Sequence, residues 1–192
     1  MTHPHERLPV LRPADLDPDQ HDLYEALVGG PRAQGPQLFP LVDGEGGLVG
    51  PFNAFLLQPA VGSPLQGLGA ALRYGTSLTD RAREIAILLV AAHWESTFEL
   101  HAHEAVGRHV GLTDDELDDL LAGVVGALTD GHERAVADVV RALLDTGDLD
   151  DAAFLAAERR LGRAVLFELT TLVGYYATLA LQLRVFRVGV PR

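Results

Sequence analysis

The sequence contains no cysteine and no lysine, and its only methionine is the first residue. Without cysteine no disulfide forms, no thiolate ligates a metal and no thiol serves as nucleophile or redox centre. Without lysine there is no Schiff-base amine and no phosphate-loop lysine. The absence of internal methionine argues against a soft, adaptable groove for partner helices. Basic residues are scarce too: 15, all arginine, against 27 acidic ones, for a formal charge of -12. They form no basic run, which argues against nucleic acid and against an anionic membrane surface as partners. A small anionic substrate stays compatible, because one buried arginine acts locally against the global charge.

What is present is material for a core. The chain has 192 residues, 47% of them hydrophobic. That length suits one domain and buries about two-thirds of the unfolded chain's surface. Met1 to Glu6 carry no basic stretch followed by an apolar run, so the expectation is a cytoplasmic protein. The most apolar window, residues 164–183, is interrupted by Glu168, Thr170, Thr171, Gly174, Tyr175 and Tyr176. A charge in mid-bilayer costs about 2.5 kcal/mol or more, so this window reads as the buried helix of a soluble oligomer.

The local signals are helical throughout. Residues 1–16, with Pro4, Pro9 and Pro13, read as an N-terminal arm, and residues 17–192 as one helical domain. Asp17, Pro18 and Gln20 start a helix that Gly29-Gly30-Pro31 stops. Residues 29–51, with seven glycines and four prolines, read as a long loop. Pro51 opens a helical turn, another helix is expected from about Pro64 to Arg73, and Thr79 caps the next. Residues 85–92 are apolar on every side, as in a central helix. A helix follows through Ser96 to Gly111. Thr113 and Glu116 form a capping box for one faced by Leu117, Leu120, Leu121, Val124 and Val125. Further helices are expected over 130–144, up to Leu161, and from Gly162 to about Arg184. The prediction is an all-α, single-domain bundle of around eight helices.

The polar residues of chemical interest cluster between Glu84 and Glu104. Ser96, Glu99 and His103 are spaced by three and four residues, so they share one stripe of a helix. Glu84, one helix earlier, reaches that stripe if the two helices fold back as a hairpin. A carboxylate beside an imidazole raises the histidine pKa and fixes its tautomer, which is a proton-transfer device. The same spacing also suits a surface ion pair, and Glu84 could instead pair with Arg81 or Arg83. His101 points about 200° from His103, so the two cannot ligate one ion, and no His-Glu-x-x-His pattern exists. No metal and no organic cofactor are expected. Asn53, the single asparagine, sits between apolar neighbours; its amide either satisfies backbone groups or binds a substrate oxygen. Tyr175 and Tyr176 are either core residues or place one hydroxyl in a pocket.

Four stretches carry a resemblance: Pro51–Leu56, Leu78–Leu88, Trp94–Glu104 and Leu172–Tyr176. Together they resemble the carboxymuconolactone decarboxylase family, which includes the alkylhydroperoxidase D-like proteins. The peroxidase branch of that family has a glutamate, two cysteines separated by two residues, and a histidine four residues further on. Glu84 and His103 match the first and last; Ser96 and Glu99 stand at the cysteine positions. Neither replaces a thiol, so thiol peroxidase activity is disfavoured. The resemblance implies an alkylhydroperoxidase D-like helical fold and a homo-oligomer, trimer or hexamer. It also implies a cofactor-free carboxy-lyase acting on a small carboxylated lactone such as 4-carboxymuconolactone. In that reading His103 supplies the proton, Glu99 and Glu84 set its protonation state with Ser96 beside them, and Asn53, Tyr176 and Arg81 or Arg83 bind the substrate. The alternative is a non-catalytic or small-molecule-binding helical oligomer that keeps the fold.

Overall fold

The computed structural model describes residues 7–34 and 38–190. Among them the regular structure is helical: α1 (Pro18–Val28), α2 (Pro51–Phe55), α3 (Pro59–Tyr74), α4 (Asp80–His93), α5 (Thr97–His109), α6 (Asp114–Leu121), α7 (Gly131–Thr146) and α8 (Asp151–Val185). There is no strand among the described residues; one antiparallel bridge joins Val42 to Leu48 inside the long loop. The expected N-terminal arm is described only from Arg7, and Gly35, Pro36 and Gln37 of the loop also lie outside the described residues. The chain divides into two compact units, one of residues up to Tyr74 with those from Leu181 on, the other Gly75–Ala180.

In the first unit, Asp17 and Gln20 close the expected capping box at the start of α1. The Gln20 side-chain amide also donates to the Leu56 carbonyl at 2.9 Å, which ties α1 to the end of α2. The loop closes on Asp43, whose Oδ1 accepts the backbone N–H groups of Glu45 and Gly47, both at 2.9 Å, while Arg12 pairs with the same carboxylate. Helix α3 starts at Pro59, not at Pro64 as expected. Pro59 fits the first turn because its missing N–H is not needed there. Pro64 sits close enough to the start that only one helical hydrogen bond is lost. Gly62 makes this register possible: a Cβ there would lie 2.2 Å from the Phe55 carbonyl oxygen.

In the second unit, α4 is the axis. Thr79 caps it through the Ala82 N–H, and Ile85 to Ala91 are at most 2% exposed. An all-apolar surface needs neighbours on all sides, and α5, α6 and α7 supply them. Helix α6 ends at Leu121 with Gly123 at φ 73°, so Val124 and Val125 lie beyond it and Val124 is exposed, contrary to the expected helix face. The left-handed glycine terminates the helix before its second apolar turn. Asp130 caps α7 and left-handed Gly147 ends it. Gly162, at φ 80° and ψ 161°, interrupts α8 where two helices were expected to meet. Beyond it Leu169, Leu172, Tyr175 and Tyr176 are buried, whereas Phe167 is 73% exposed, so this helix is buried on one face only. Glu168 holds the backbone N–H and hydroxyl of Ser77. By length and composition alone α8 is long and apolar enough to cross a membrane.

Candidate acid-base site

The α4–α5 hairpin brings Glu84 and His103 together in the interior. Glu84 is 1% and His103 7% exposed, and Oε2 of Glu84 lies 2.6 Å from Nδ1 of His103. That short contact is charge-assisted. The carboxylate accepts from Nδ1–H, so it fixes the ring orientation and leaves Nε2 as the nitrogen that exchanges protons. Among the described residues no group hydrogen-bonds Nε2. The ring of Tyr176 meets the imidazole edge-on at 5.3 Å, and Tyr175 follows it at 5.2 Å.

Two turns and one turn before His103, Ser96 and Glu99 have the spacing of a capping box but do not form one. Ser96 is the N-cap of α5, yet its hydroxyl caps nothing, and its own N–H bonds the Ala91 carbonyl at 2.9 Å. The pairs Asp17/Gln20 and Thr113/Glu116 close their boxes. The difference is the tight reversal at Glu95, whose φ of 49° turns the chain before the cap can close. Ser96 and Glu99 are therefore carried inward, 1% and 3% exposed. Burial pushes the Glu99 carboxyl up to about 8; the nearby Ser96 hydroxyl offsets part of this. Neither Glu99 oxygen, nor the Ser96 hydroxyl, finds a hydrogen bond of good geometry. With its carboxyl near 8, Glu99 holds its proton at pH 7, and among the described residues no well-formed hydrogen bond engages it. The sequence placed Glu99 as a modulator of His103; burial makes it an acid in its own right, and only the unclosed box hints at this.

The expected substrate contacts divide. Tyr176 is the one joined to His103. Asn53, in the first unit, uses both ends of its amide on the chain: Oδ1 accepts from the Leu11 N–H at 3.0 Å and Nδ2 donates to the Pro9 carbonyl at 2.9 Å. This is the backbone-satisfying role of the two considered for it. Arg81 is committed to Glu133 at 2.7 Å, to Glu116 at 2.9 Å and to the Gly111 carbonyl. Arg83 pairs with Asp80, and its Nε is buried without a hydrogen-bond acceptor. His101 is exposed, and His93 packs edge-on against Trp94 at 5.7 Å. Among the described residues no three of His, Asp and Glu come together as a metal-binding group. Asn53→Ala is expected to release residues 9–11 and to cost about 1–3 kcal/mol, because two backbone groups lose their partners. Faster amide exchange at Leu11, with a lowered unfolding midpoint, is the readout; unchanged exchange would refute the clamp.

No protein-family model matches the sequence, and no curated protein matches it either. Solved structures do. An alkylhydroperoxidase AhpD core, an uncharacterized peroxidase-related protein from Ralstonia eutropha JMP134, superposes with a TM-score of 0.76 at 16% identity, over 99% of this chain and 94% of its own. An uncharacterized peroxidase-related protein from Silicibacter sp. TM1040 superposes with a TM-score of 0.73 at 13% identity, over 97% and 92%. A protein of unknown function from Agrobacterium tumefaciens gives 0.65 at 20% identity, over 73% and 97%. Such identities speak for architecture alone. The chain has the alkylhydroperoxidase D-like all-helical fold expected from its sequence.

Proposed function

We propose that this chain is a cofactor-free carboxy-lyase acting on a small carboxylated lactone such as 4-carboxymuconolactone. The observation that carries the reading is the pairing of two proton-handling groups one helical turn apart. The His103 imidazole is held by Glu84, and Glu99 is buried, neutral and without an acceptor. In decarboxylation the bond between the ring carbon and the carboxyl carbon breaks. Its electron pair delocalises into the lactone as an enolate, and carbon dioxide leaves. Glu99 donates a hydrogen bond to the enolate oxygen. His103, protonated on both nitrogens and stabilised by Glu84, delivers the Nε2 proton to carbon. Arg81 and Arg83 are the candidate partners of the substrate carboxylate; Arg81 is already engaged by Glu116 and Glu133, and Arg83 pairs with Asp80.

The chain acts in this reading as a soluble, cytoplasmic homo-oligomer, trimer or hexamer, and the exposed Phe167 on α8 suits a subunit contact. The test is turnover of 4-carboxymuconolactone, followed by ultraviolet absorbance and released carbon dioxide. His103→Ala is expected to lower kcat/KM by about 10²–10⁴-fold. Equal turnover in the variant, or none in the native protein, would remove this reading.

A further inference from the structure

Helix α5 begins differently from the helices around it. The side chains of Thr79, Thr113 and Asp130 accept first-turn N–H groups of α4, α6 and α7. Ser96, the N-cap of α5, accepts none. The first N–H groups of a helix have no carbonyl behind them within the helix, so their acceptors come from elsewhere. Among the described residues, the N–H groups of Phe98 and Glu99 have no such acceptor, and both residues are buried. Buried N–H groups left unpaired are rare in folded proteins and call for an explanation.

Two buried side chains converge on the same turn. The Ser96 hydroxyl and both Glu99 carboxyl oxygens are buried without a well-formed hydrogen bond. Helical side chains lean towards the helix N-terminus, so Glu99 lies back over the first turn, near enough for the Ser96 hydroxyl to act on its carboxyl. Burial keeps that carboxyl protonated at pH 7, so it offers an O–H and no negative charge. The one buried carboxylate nearby, Glu84, is paired with His103. The turn therefore presents two N–H and two O–H donors at the positive end of the helix dipole. A cation finds no charged acceptor in this turn, whereas a single negative oxygen suits every donor in it.

We propose that the first turn of α5 binds one oxyanion of a small organic acid, held by the N–H groups of Phe98 and Glu99 and by the side chains of Ser96 and Glu99. The inference rests on the lyase reading only for the identity of the substrate, where that oxyanion is the enolate. A simple carboxylate is its stable mimic and binds without turnover.

The test uses the full chain carrying isotope-labelled phenylalanine, titrated with acetate at pH 7 and constant ionic strength. The Phe98 amide signal, identified by its loss in Phe98→Leu, is expected to shift and saturate. Acetamide, of the same shape and uncharged, should leave it in place. Glu99→Leu removes one donor and should weaken acetate by about tenfold or more. Ser96→Asp ties a carboxylate to the cap, as Asp130 does on α7, and should abolish the acetate shift with helix content retained. Glu99→Gln keeps a donor and should still bind acetate, although the lyase reading has it inactive. Lack of a saturable Phe98 shift in the native protein overturns the proposal. So does an equal response to acetamide, or undiminished acetate binding in Glu99→Leu and Ser96→Asp. Acetate binding without decarboxylation of the lactone would uphold the oxyanion site and remove the lyase reading alone.

Discussion

Arg81→Met is expected to lower the unfolding free energy by about 3 kcal/mol, the scale of breaking a buried ion pair. For a chain of this size that corresponds to a fall in Tm on the order of 10 °C. Arg81 projects from the first turn of α4 and joins three other places in its unit. Its Nε and one terminal nitrogen grip Glu133 on α7 in a fork, at 2.7 and 3.0 Å. The same terminal nitrogen reaches Glu116 on α6 at 2.9 Å, and the other meets the Gly111 carbonyl. Removing the guanidinium leaves two carboxylates, 7% and 8% exposed, without their cation. Burial raises the Glu116 carboxyl, but the Thr113 backbone N–H and the Arg81 guanidinium outweigh that and hold it below its ordinary range. Its stabilising share is therefore present above the unfolded value of 4.5 and is lost as the pH falls through the lower folded value. The Arg81→Met deficit should accordingly shrink in acid. Adding Glu116→Gln and Glu133→Gln should restore much of the loss, because what destabilises is the stranded charge. Urea unfolding at pH 7 and pH 4 measures this; a variant as stable as the native protein at pH 7 would disprove the clamp.

Glu99→Gln is expected to stabilise the protein at pH 7 by on the order of 3 kcal/mol while removing the proposed lyase activity. The sign follows from proton uptake. The unfolded carboxyl titrates near 4.5 and the folded one is pushed by burial up to about 8. Between those values the native state holds a proton that the unfolded state has released. Stability therefore falls as the pH rises through this window, by about 1.4 kcal/mol per unit, and levels off above it. Glutamine has the same shape and no such dependence. The two proteins should be equally stable near pH 4 and diverge towards pH 8. Under the proposed lyase function the native rate should decline over the same window, as Glu99 loses its proton near pH 8, and the variant should be inactive throughout. If Glu99 serves the proposed reaction, gaining stability by losing this acid is the expected trade. Parallel unfolding profiles from pH 4 to 9 would show that Glu99 is not the neutral acid described.

The helices were largely legible in the sequence because their signals are local. Asp17, Thr79, Thr113 and Asp130 cap the helices they precede, and Gly147 ends α7. The errors occurred where a local signal competes with packing or with a second stop. Pro64 looked like a start but was absorbed into α3, because Gly62 lets that helix begin earlier against Phe55. Val124 and Val125 continued the α6 pattern on paper, but Gly123 ended the helix first. Of the candidate site, the stripe of Ser96, Glu99 and His103 followed from the helical period, and Glu84 from the presumption of a hairpin.

Most of the helices, the exclusion of thiol and Schiff-base chemistry, and the shared helix face of Glu99 and His103 can be read from the chain alone. Period, capping and composition act over a few residues, so they can be read without knowing what lies nearby. Which carboxylates are buried, and what they face, was settled by packing. It joined Glu84 to His103, left Glu99 without an acceptor, engaged Arg81 with α6 and α7, and set Asn53 to holding the residues near Pro9. Protonation state and partner choice depend on the dielectric and on groups distant in sequence. Those are properties of the packed interior, and no spacing along the chain encodes them.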